Sequence, residues 1–338
     1  MPAPAGLVQQ LDQFLHRRRL LTPRERILAA CSGGADSVAL VRLLSEINKS
    51  RYWRWKILIG HVDHGIRGAA STRDRQFVSK LGKQLGLPVR TRKLQLAQKS
   101  AAGQVSEAAA RQARLKALVS MARQAKCKVI VLAHHADDQA ETILLRLLRG
   151  AGMRGLSGIA QERKMDSVRL VRPLLKFRRQ ELIRWLEQIG QKWREDASNK
   201  ERRFLRNRVR HELLPLLETY QPKIYEVLWR TAENSRAIYQ LLNRRATKLF
   251  KDAVRRRGGK LILKSRDFSQ APRAAAALAL REAIGAVGGT TDKIHYATLA
   301  DAVERIRQGQ THGTLHFSGS TVLRFSRGKI YIEALHAK

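Results

Sequence analysis

The chain has 338 residues, of which 43% are hydrophobic and 28% are charged. These proportions are typical of a folded protein and exclude wholesale disorder, and the length favours two domains. Lysine and arginine number 66 against 28 acidic residues, and the net charge of +38 favours a polyanionic partner such as nucleic acid.

Four short apolar runs in the first 133 residues are predicted to form parallel strands. Each run lacks a period-two alternation over its full length, which is typical of strands buried on both faces. The segments between them have apolar residues three and four positions apart, which predicts the crossover helices that parallel strands require. We therefore expect an α/β fold with a doubly wound, mainly parallel, Rossmann-like sheet that binds ligands at the carboxyl ends of its strands. The predicted strands are 27–31, 57–62, 89–94 and 129–133, and the predicted helices are 37–47, 72–85, 104–125 and 138–149.

The rest of the chain predicts a smaller second domain. A fifth apolar run, 168–175, contains Pro173 and is predicted to be an edge strand or its exit, and a helix is expected over 178–190. Residues 200–210 hold six basic residues against one acid and are predicted to link two domains. Beyond residue 220 the pattern is helical and then alternates over short strands, which predicts an α+β fold. We expect domains at 1–217 and 218–338.

The sequence SGGADS at residues 32–37 directly follows the first predicted strand and opens the first predicted helix. Paired glycines let the backbone approach a ligand closely, and a helix N-terminus favours an anion, so the segment predicts a phosphate site. The Lys-Ser/Thr ending of a Walker A loop is absent, which argues against that class of kinase or GTPase. An ordinary strand-to-helix turn with a Ser or Asp cap is the alternative.

Two more polar clusters follow the second and fourth predicted strands: HVDHGIR at 61–67 and AHHADDQAET at 133–142. Both are expected on the same edge of the sheet as the glycine loop. Their spacing does not match a zinc site well, whereas carboxylate oxygens with phosphate suit magnesium. Asp138 and Glu141 share one helix face, and plain helix capping by Asp137 or Asp138 is the alternative.

Only Cys31 and Cys127 are cysteines, too few for a disulfide framework or a cysteine-based zinc site. No segment approaches about 18 consecutive apolar residues. We therefore expect a cytoplasmic protein that does not cross a membrane.

Six stretches of the chain resemble, in order, the tRNA(Ile)-lysidine synthetase family of the PP-loop ATP pyrophosphatases. The likeness is strong over about residues 25–217 and weaker beyond. Two departures are Ile66, where leucine is usual, and Leu115, where tyrosine is usual. The stretches are CSGGADS, HVDHGIRGAAS, EAAARQARLKAL, LAHHADDQAETILLRLLRGAGMRGLSGI, VRPLL and DASNKERRFLRNRVRHELLP.

The resemblance implies an enzyme that uses ATP and Mg²⁺ to adenylate the C2 oxygen of the wobble cytidine in a tRNA(Ile) with a CAU anticodon. L-lysine then replaces AMP at C2 and forms lysidine, so that the tRNA reads AUA instead of AUG. The second domain is expected to bind the tRNA, and a homodimer is left open.

The resemblance also implies roles for individual residues. Asp36, Arg111 and Asp138 are expected to be catalytic, with Arg111 rather than Arg114 at the α-phosphate or adenylate. The alternative for Arg111 is an exposed ion pair with Glu107. Asp36 would also place Mg²⁺. The residues expected to bind ATP are Ser32, Gly33, Gly34, Ala35, Asp36, Ser37, His61, Asp63, His64 and His135.

The sequence also offers candidate binding residues for L-lysine and for the tRNA. An acidic group beside the lysine amine is chemically plausible because the amine must lose a proton before it attacks, and Asp138 and Glu141 are the candidates. Basic side chains around residues 196–210 suit contacts with an RNA loop, and a solvated basic face is the alternative. The candidate tRNA contacts are Arg114, Asn199, Arg203, Arg206, Asn207, Arg208 and Arg210.

Three other functions are weighed against this one. A tRNA thiolase would use the same loop, but such enzymes generally rely on cysteine pairs or an iron–sulfur cluster. A synthetase that acts on a small metabolite is disfavoured by the charge of +38. A basic RNA-binding protein without catalysis is compatible with the charge alone.

Overall fold

The computed structural model describes residues 6–50, 52–63, 69–94, 107–194, 205–289, 291, 294–317, 321–326 and 329–334, without the side chains of 69–71 and 107–108. The chain divides into two compact units, one within 1–149 and 158–231 and the other within 150–157 and 232–338. The division falls after Thr231 rather than at the expected 217–218, because Trp229 still packs against the core of the first unit. A tRNA-binding role for 218–338 stays a prediction.

The first unit contains a six-stranded sheet. Its strands are β1 Arg26–Ala30, β2 Lys56–Asp63, β3 Val89–Lys93, β4 Val129–Val131, β5 Glu162–Met165 and β6 Val168–Val171. They lie in the order β3-β2-β1-β4-β6-β5, and all neighbours are parallel except β5 and β6. The predicted doubly wound, mainly parallel sheet is confirmed.

The fifth apolar run is not an edge strand, although Pro173 does lie where the chain leaves the strand, which was the other part of the prediction. Strand β6 pairs with β4 on one side and with β5 on the other, so it lies inside the sheet. Pro173 lies beyond the end of β6 and therefore removes no hydrogen bond from the ladder. Strand β5 forms the edge on this side of the sheet. Its residues are mainly exposed and charged, so no apolar pattern predicted a strand there.

Helices cover both faces of this sheet. Because strand side chains alternate, Ile57 and Ile59 of β2 join one core and Leu58 and Val62 join the other. Helices α1, α2, α3 and α7 pack on the first core, and α4 packs on the second. The helices of this unit are α1 Leu7–Arg18, α2 Ala35–Asn48, α3 Ala69–Leu85, α4 Glu107–Gln124, α5 Ala136–Leu147, α7 Arg179–Gln188, α8 Leu205–Arg208, a π-helical segment Val209–Leu213 and α9 Leu214–Tyr220, and α10 Ile224–Ala253 begins here.

The predicted linker at 200–210 is not a linker in its described part. From Leu205 onward the chain is helical and packs against α5, inside the first unit. The basic residues that suggested a solvent-exposed connection include two that bind buried or half-buried carboxylates of α5, as shown below.

The second unit has the predicted α+β composition. A hairpin joins β7 to β8, and its two connecting residues, Gly258 and Gly259, both have positive φ, as this tight turn requires. The sheet order is β7-β8-β11-β10-β9, and all pairs are antiparallel. The elements are α6 Met153–Leu156, β7 Val254–Arg257, β8 Lys260–Leu263, α11 Ser265–Gln270, α12 Arg273–Ala286, α13 Tyr296–Arg307, β9 Gly313–Phe317, β10 Thr321–Ser326 and β11 Lys329–Ala334.

No helix within the described ranges is both long and apolar enough to cross a membrane.

Candidate active site

The glycine loop joins β1 to the N-terminus of α2. Gly33 has a φ angle of +95°. Residues that carry a Cβ atom rarely adopt this backbone conformation, so the loop requires glycine there. The Ser37 hydroxyl accepts a hydrogen bond from the Ser32 amide at 3.1 Å and donates one to the Gly34 carbonyl at 2.9 Å. These bonds preform a cradle at a helix N-terminus, where free amides and the helix dipole favour an anion.

His135 lies among three carboxylates at the start of α5. Its Nε2 atom is 3.6 Å from Asp36 Oδ2 and 3.4 Å from Asp138 Oδ2, and its Nδ1 atom is 3.4 Å from Asp137 Oδ2. Burial by itself lowers the pKa of His135, but the charge of Asp138 and the contacts with Asp137 and Asp36 outweigh it and raise the pKa to about 10. His135 therefore carries a positive charge at neutral pH.

Asp36 connects the glycine loop to this cluster. Besides its contact with His135, its Oδ1 atom lies 3.2 Å from Nε of Arg179, the first residue of α7. Oδ1 is buried and makes no hydrogen bond with any described residue. A carboxylate oxygen with free lone pairs suits Mg²⁺, which commonly uses one or two carboxylates together with phosphate oxygens and water.

Asp137 binds the N-terminus of α7, whereas the capping alternative for α5 fits Asp138, which accepts a hydrogen bond from the His135 amide. The Asp137 Oδ2 atom accepts a hydrogen bond of 2.7 Å from the Arg179 amide at the N-terminus of α7. Burial raises the pKa of Asp137, but the contact with His135 and the Arg179 amide outweigh it and lower the pKa to about 2. Asp137 therefore stays ionised and ties α7 to α5.

Asp138 and Glu141 form a carboxylate pair, and both bind guanidinium groups. Glu141 is completely buried, with Oε2 at 2.7 Å from Arg206 Nε and Oε1 at 2.5 Å from Arg210 Nε. Asp138 Oδ1 accepts a hydrogen bond of 3.1 Å from Arg206 Nη2, and Oδ2 accepts one of 3.2 Å from the His135 amide. The structure therefore brings together the two residues expected to bind lysine, and it shows that the pair accepts cationic nitrogens.

Sequence reasoning missed the pairing of Arg206 and Arg210 with these carboxylates. A signal was present: the two arginines lie four residues apart, and Asp138 and Glu141 lie three apart, so each pair falls on one face of its helix. The segments are remote in sequence, however, and nothing local shows that the two faces meet.

Arg111 lies near the start of α4, and its Nη2 atom is 3.2 Å from His134 Nε2. Burial chiefly lowers the pKa of His134; Asp138 raises it, whereas Arg172 and Arg111 lower it further, and the pKa is about 4. The neutral ring can therefore accept a hydrogen bond from the guanidinium at Nε2. Arg111 thus lies beside the segment that follows β4, with a neutral neighbour, and its contact with the α-phosphate or adenylate stays a prediction.

His61 and Asp63 come from the end of β2. The His61 Nδ1 atom lies 2.9 Å from the Cys31 carbonyl oxygen, to which it donates. Its Nε2 atom is buried without a hydrogen-bond partner in the described part of the chain, so it can accept from a ligand. Asp63 is half-buried where β2 ends.

The other predicted contacts are less complete. His64, Asn199 and Arg203 lie outside the described residues. Arg114 is exposed on α4, Asn207 lies on α8, and Arg208 forms an exposed ion pair with Glu212 at 3.2 Å. Their contacts with tRNA stay predictions.

The charge on His135 predicts a pH-dependent stability. His135→Gln should lower the free energy of unfolding by about 5 kcal/mol below the ordinary histidine pKa of 6.5, because the folded state holds the proton more tightly. The difference should shrink as the pH rises from 6.5 to 10 and be lost above 10, where the wild-type ring is also neutral. Urea denaturation across this range measures it, with His316→Gln on the exposed face of β9 as control; a difference independent of pH would contradict the assignment.

Comparisons with known proteins agree with this geometry. A family described as the PP-loop domain matches residues 5–217. A tRNA(Ile)-lysidine synthase of Geobacter sulfurreducens is 36% identical over 92% of this chain and 65% of its own length. One from Rhodopirellula baltica is 39% identical over 65% of this chain and 59% of its own length. The chain thus spans less than two thirds of these curated relatives.

A solved structure supports the fold alone. The U34-tRNA thiolase NcsA from Methanococcus maripaludis, with its 4Fe-4S cluster, aligns with a TM-score of 0.58 at 18% identity, over 67% of this chain and 78% of that one.

The match of the PP-loop domain family to residues 5–217 covers more than half of the chain. It contains the glycine loop, the His135 cluster and the arginines that bind Glu141. The chain therefore belongs to the PP-loop family.

Proposed function

We propose that this chain uses ATP to join L-lysine to C2 of the wobble cytidine in tRNA(Ile) with a CAU anticodon. ATP first adenylates the C2 oxygen and releases pyrophosphate; the lysine ε-amine then attacks C2, AMP leaves, and lysidine is formed. The observation that carries the proposal is the presence, on one edge of one sheet, of a preformed phosphate cradle and a carboxylate pair that binds cationic nitrogen. Curated relatives that are 36–40% identical to this chain over 65–92% of its length carry the name tRNA(Ile)-lysidine synthase.

The nucleotide would bind at the glycine loop. The amides in the first turn of α2 suit the pyrophosphate portion, and protonated His135 contacts Asp36 in the same turn. A leaving pyrophosphate needs nearby positive charge, which the helix N-terminus and His135 supply. Mg²⁺, when bound, would be held by Asp36 and would neutralise phosphate charge. His61 Nε2 is available to accept a hydrogen bond from the nucleotide.

L-lysine would bind at Asp138 and Glu141. Their oxygens already accept hydrogen bonds from guanidinium groups, and the lysine ammonium is a smaller cation with three donors. Arg206 and Arg210 each contact a different Glu141 oxygen, so the lysine ammonium would share that buried carboxylate with them or compete for it. Asp138, at the edge of this pair, is the proposed acceptor of the proton that the amine loses before attack.

The tRNA would be bound by electrostatic attraction and by residues around α8. The net charge of +38 provides a large sequence-independent contribution to RNA binding. Arg208 and Asn207 of α8 follow directly on the residues predicted to contact the anticodon loop. Base reading in single-stranded RNA loops uses such side chains together with stacking.

The cysteines weigh against sulfur transfer by this chain. Cys31 and Cys127 are both buried and free. Burial raises the pKa of the Cys31 thiol, so little of the reactive thiolate is present at neutral pH.

The direct test is incubation with ATP, labelled L-lysine and two transcripts: tRNA(Ile) with a CAU anticodon and elongator tRNA(Met), which has the same anticodon. Label is expected in the first RNA only, and it should require ATP. Label in neither RNA, or equal label in both, would refute the proposed reaction or its selectivity. Asp36→Asn serves as the inactive control for lysine incorporation.

A further inference from the structure

We propose that Arg172, together with Arg111, forms a phosphate-binding subsite on the α4 side of the strand ends. The inference rests on the proposed function, which brings two kinds of phosphate to this edge of the sheet. The α-phosphate of ATP and the phosphodiester of the target nucleotide share the chemistry that two guanidinium groups recognise. The experiment below distinguishes these two sources.

The topology places Arg172 at the functional edge of the sheet. It directly follows β6, which is parallel to β4, and the Leu132 amide donates a hydrogen bond of 2.9 Å to the Val171 carbonyl. The end of β6 therefore lies beside the segment that leads to His134. Leu170 packs in the core under α4 and Val171 packs in the opposite core, so the alternation directs Arg172 towards α4, where Arg111 lies.

Arg172 is buried without a counter-charge. Its side chain is 8% exposed, its Nη1 atom donates to the Ala160 carbonyl at 2.8 Å, and its Nε atom has no hydrogen-bond partner among the described residues. Across the same described ranges no carboxylate forms an ion pair with it. Burial, and after it the charges of Arg111 and Arg163, lower the pKa of Arg172 to about 10.

A buried guanidinium without an anion is costly for a folded protein. Arg111 is exposed rather than buried; its contact is the neutral ring of His134, and no carboxylate whose side chain is described pairs with it. Two neighbouring guanidinium groups repel each other, and together they offer donors that match the oxygens of one phosphate. A bound phosphate would supply the missing charge and acceptors for both.

The test compares Arg172→Met with Arg163→Met. Arg163 is an exposed arginine of β5 whose charge also acts on Arg172. The control therefore removes one positive charge nearby but keeps the buried guanidinium of Arg172. Titration with AMP and with adenosine measures the nucleotide source. Binding of the tRNA(Ile) transcript at several salt concentrations measures the RNA source.

Either of two results supports the subsite. If the ligand is the nucleotide phosphate, Arg172→Met should weaken AMP binding about 10-fold or more and leave adenosine binding unchanged. If it is the RNA phosphodiester, the slope of log affinity against log salt should fall by about 0.7 to 0.9 while AMP binding is unchanged. Arg163→Met should change neither binding of AMP nor the salt slope by a comparable amount.

Three results would overturn it. They are unchanged AMP binding and salt slope in Arg172→Met, an equal effect of Arg163→Met, and a loss confined to lysine affinity. Arg172→Gln, which also removes the positive charge but keeps a polar side chain, is measured in the same assays if the methionine variant does not fold. The urea midpoint of Arg172→Met is expected to be no lower than that of the wild type, because the variant removes an uncompensated buried charge. None of these assays requires lysidine formation, so failure of the proposed reaction is recognised separately by the absence of lysine incorporation in the wild type.

Discussion

Asp36→Asn is expected to reduce ATP–pyrophosphate exchange by at least about 100-fold and to leave binding of the tRNA close to that of the wild type. The amide keeps the size of the side chain but loses the charge that faces His135 and Arg179. It also loses the oxygen ligand proposed for Mg²⁺. RNA is attracted by the positive charges of the protein. Asp36 carries a negative charge, so losing it should not weaken that attraction.

Exchange assays and filter retention of the labelled transcript measure the two effects separately. Asp301→Asn is the matched control: Asp301 lies on α13, is 55% exposed and pairs with Arg305 in the second unit. An equal loss of exchange and of tRNA retention in Asp36→Asn would show that the substitution damages the fold or the RNA surface, and it would contradict the assignment to ATP chemistry.

Glu141→Gln is expected to lower the efficiency of lysine incorporation by about 10- to 100-fold, mainly through the KM for L-lysine. Glu141 is completely buried and holds two guanidinium groups. A neutral amide offers the lysine ammonium one acceptor without a charge, so the substrate loses a charge-assisted hydrogen bond. ATP–pyrophosphate exchange that depends on the tRNA should persist, because adenylation precedes lysine attack in the proposed reaction.

The same substitution is expected to reduce the free energy of unfolding by about 1–3 kcal/mol, because Arg206 and Arg210 lose a buried counter-charge but remain partly in contact with solvent. Lysine saturation curves and urea denaturation measure the two effects. Glu212→Gln, which removes a 55% exposed partner of Arg208 in the same segment, should leave both close to wild type. A normal KM for L-lysine in Glu141→Gln would exclude the carboxylate pair as the lysine site.

The fold was largely predictable because its signals are local. The first four strands and their crossover helices were located to within a few residues from apolar runs and helical spacing. Strand β5 was not, because an exposed edge strand with the sequence ERKM has no apolar pattern. The status of β6 was also misjudged, since a proline near a strand end does not reveal which neighbours the strand has.

The sequence predicted which residues belong to the candidate site better than it predicted the contacts between them. Asp36, His135 and Asp138 were selected one by one, from a loop and a helix start, and they lie together because their strands are parallel neighbours. Arg206 was predicted as an RNA contact, which stays a prediction, and its ion pairs with Asp138 and Glu141 were not foreseen. Arg172 was not singled out, because a single arginine after a strand gives no sign that it is buried.

The amino-acid sequence by itself determined the positions of the first four strands and their crossover helices, the glycine turn at the head of α2 and the strongly positive charge, because each depends on neighbouring residues or on composition. Only the tertiary structure decided which charges meet. Arg206 reaches Glu141 across 65 positions of sequence, and the pKa values of His135 and Arg172 depend on burial and on charges from other elements. Electrostatic energy depends on distance and solvent exposure, and neither quantity exists until the chain has folded.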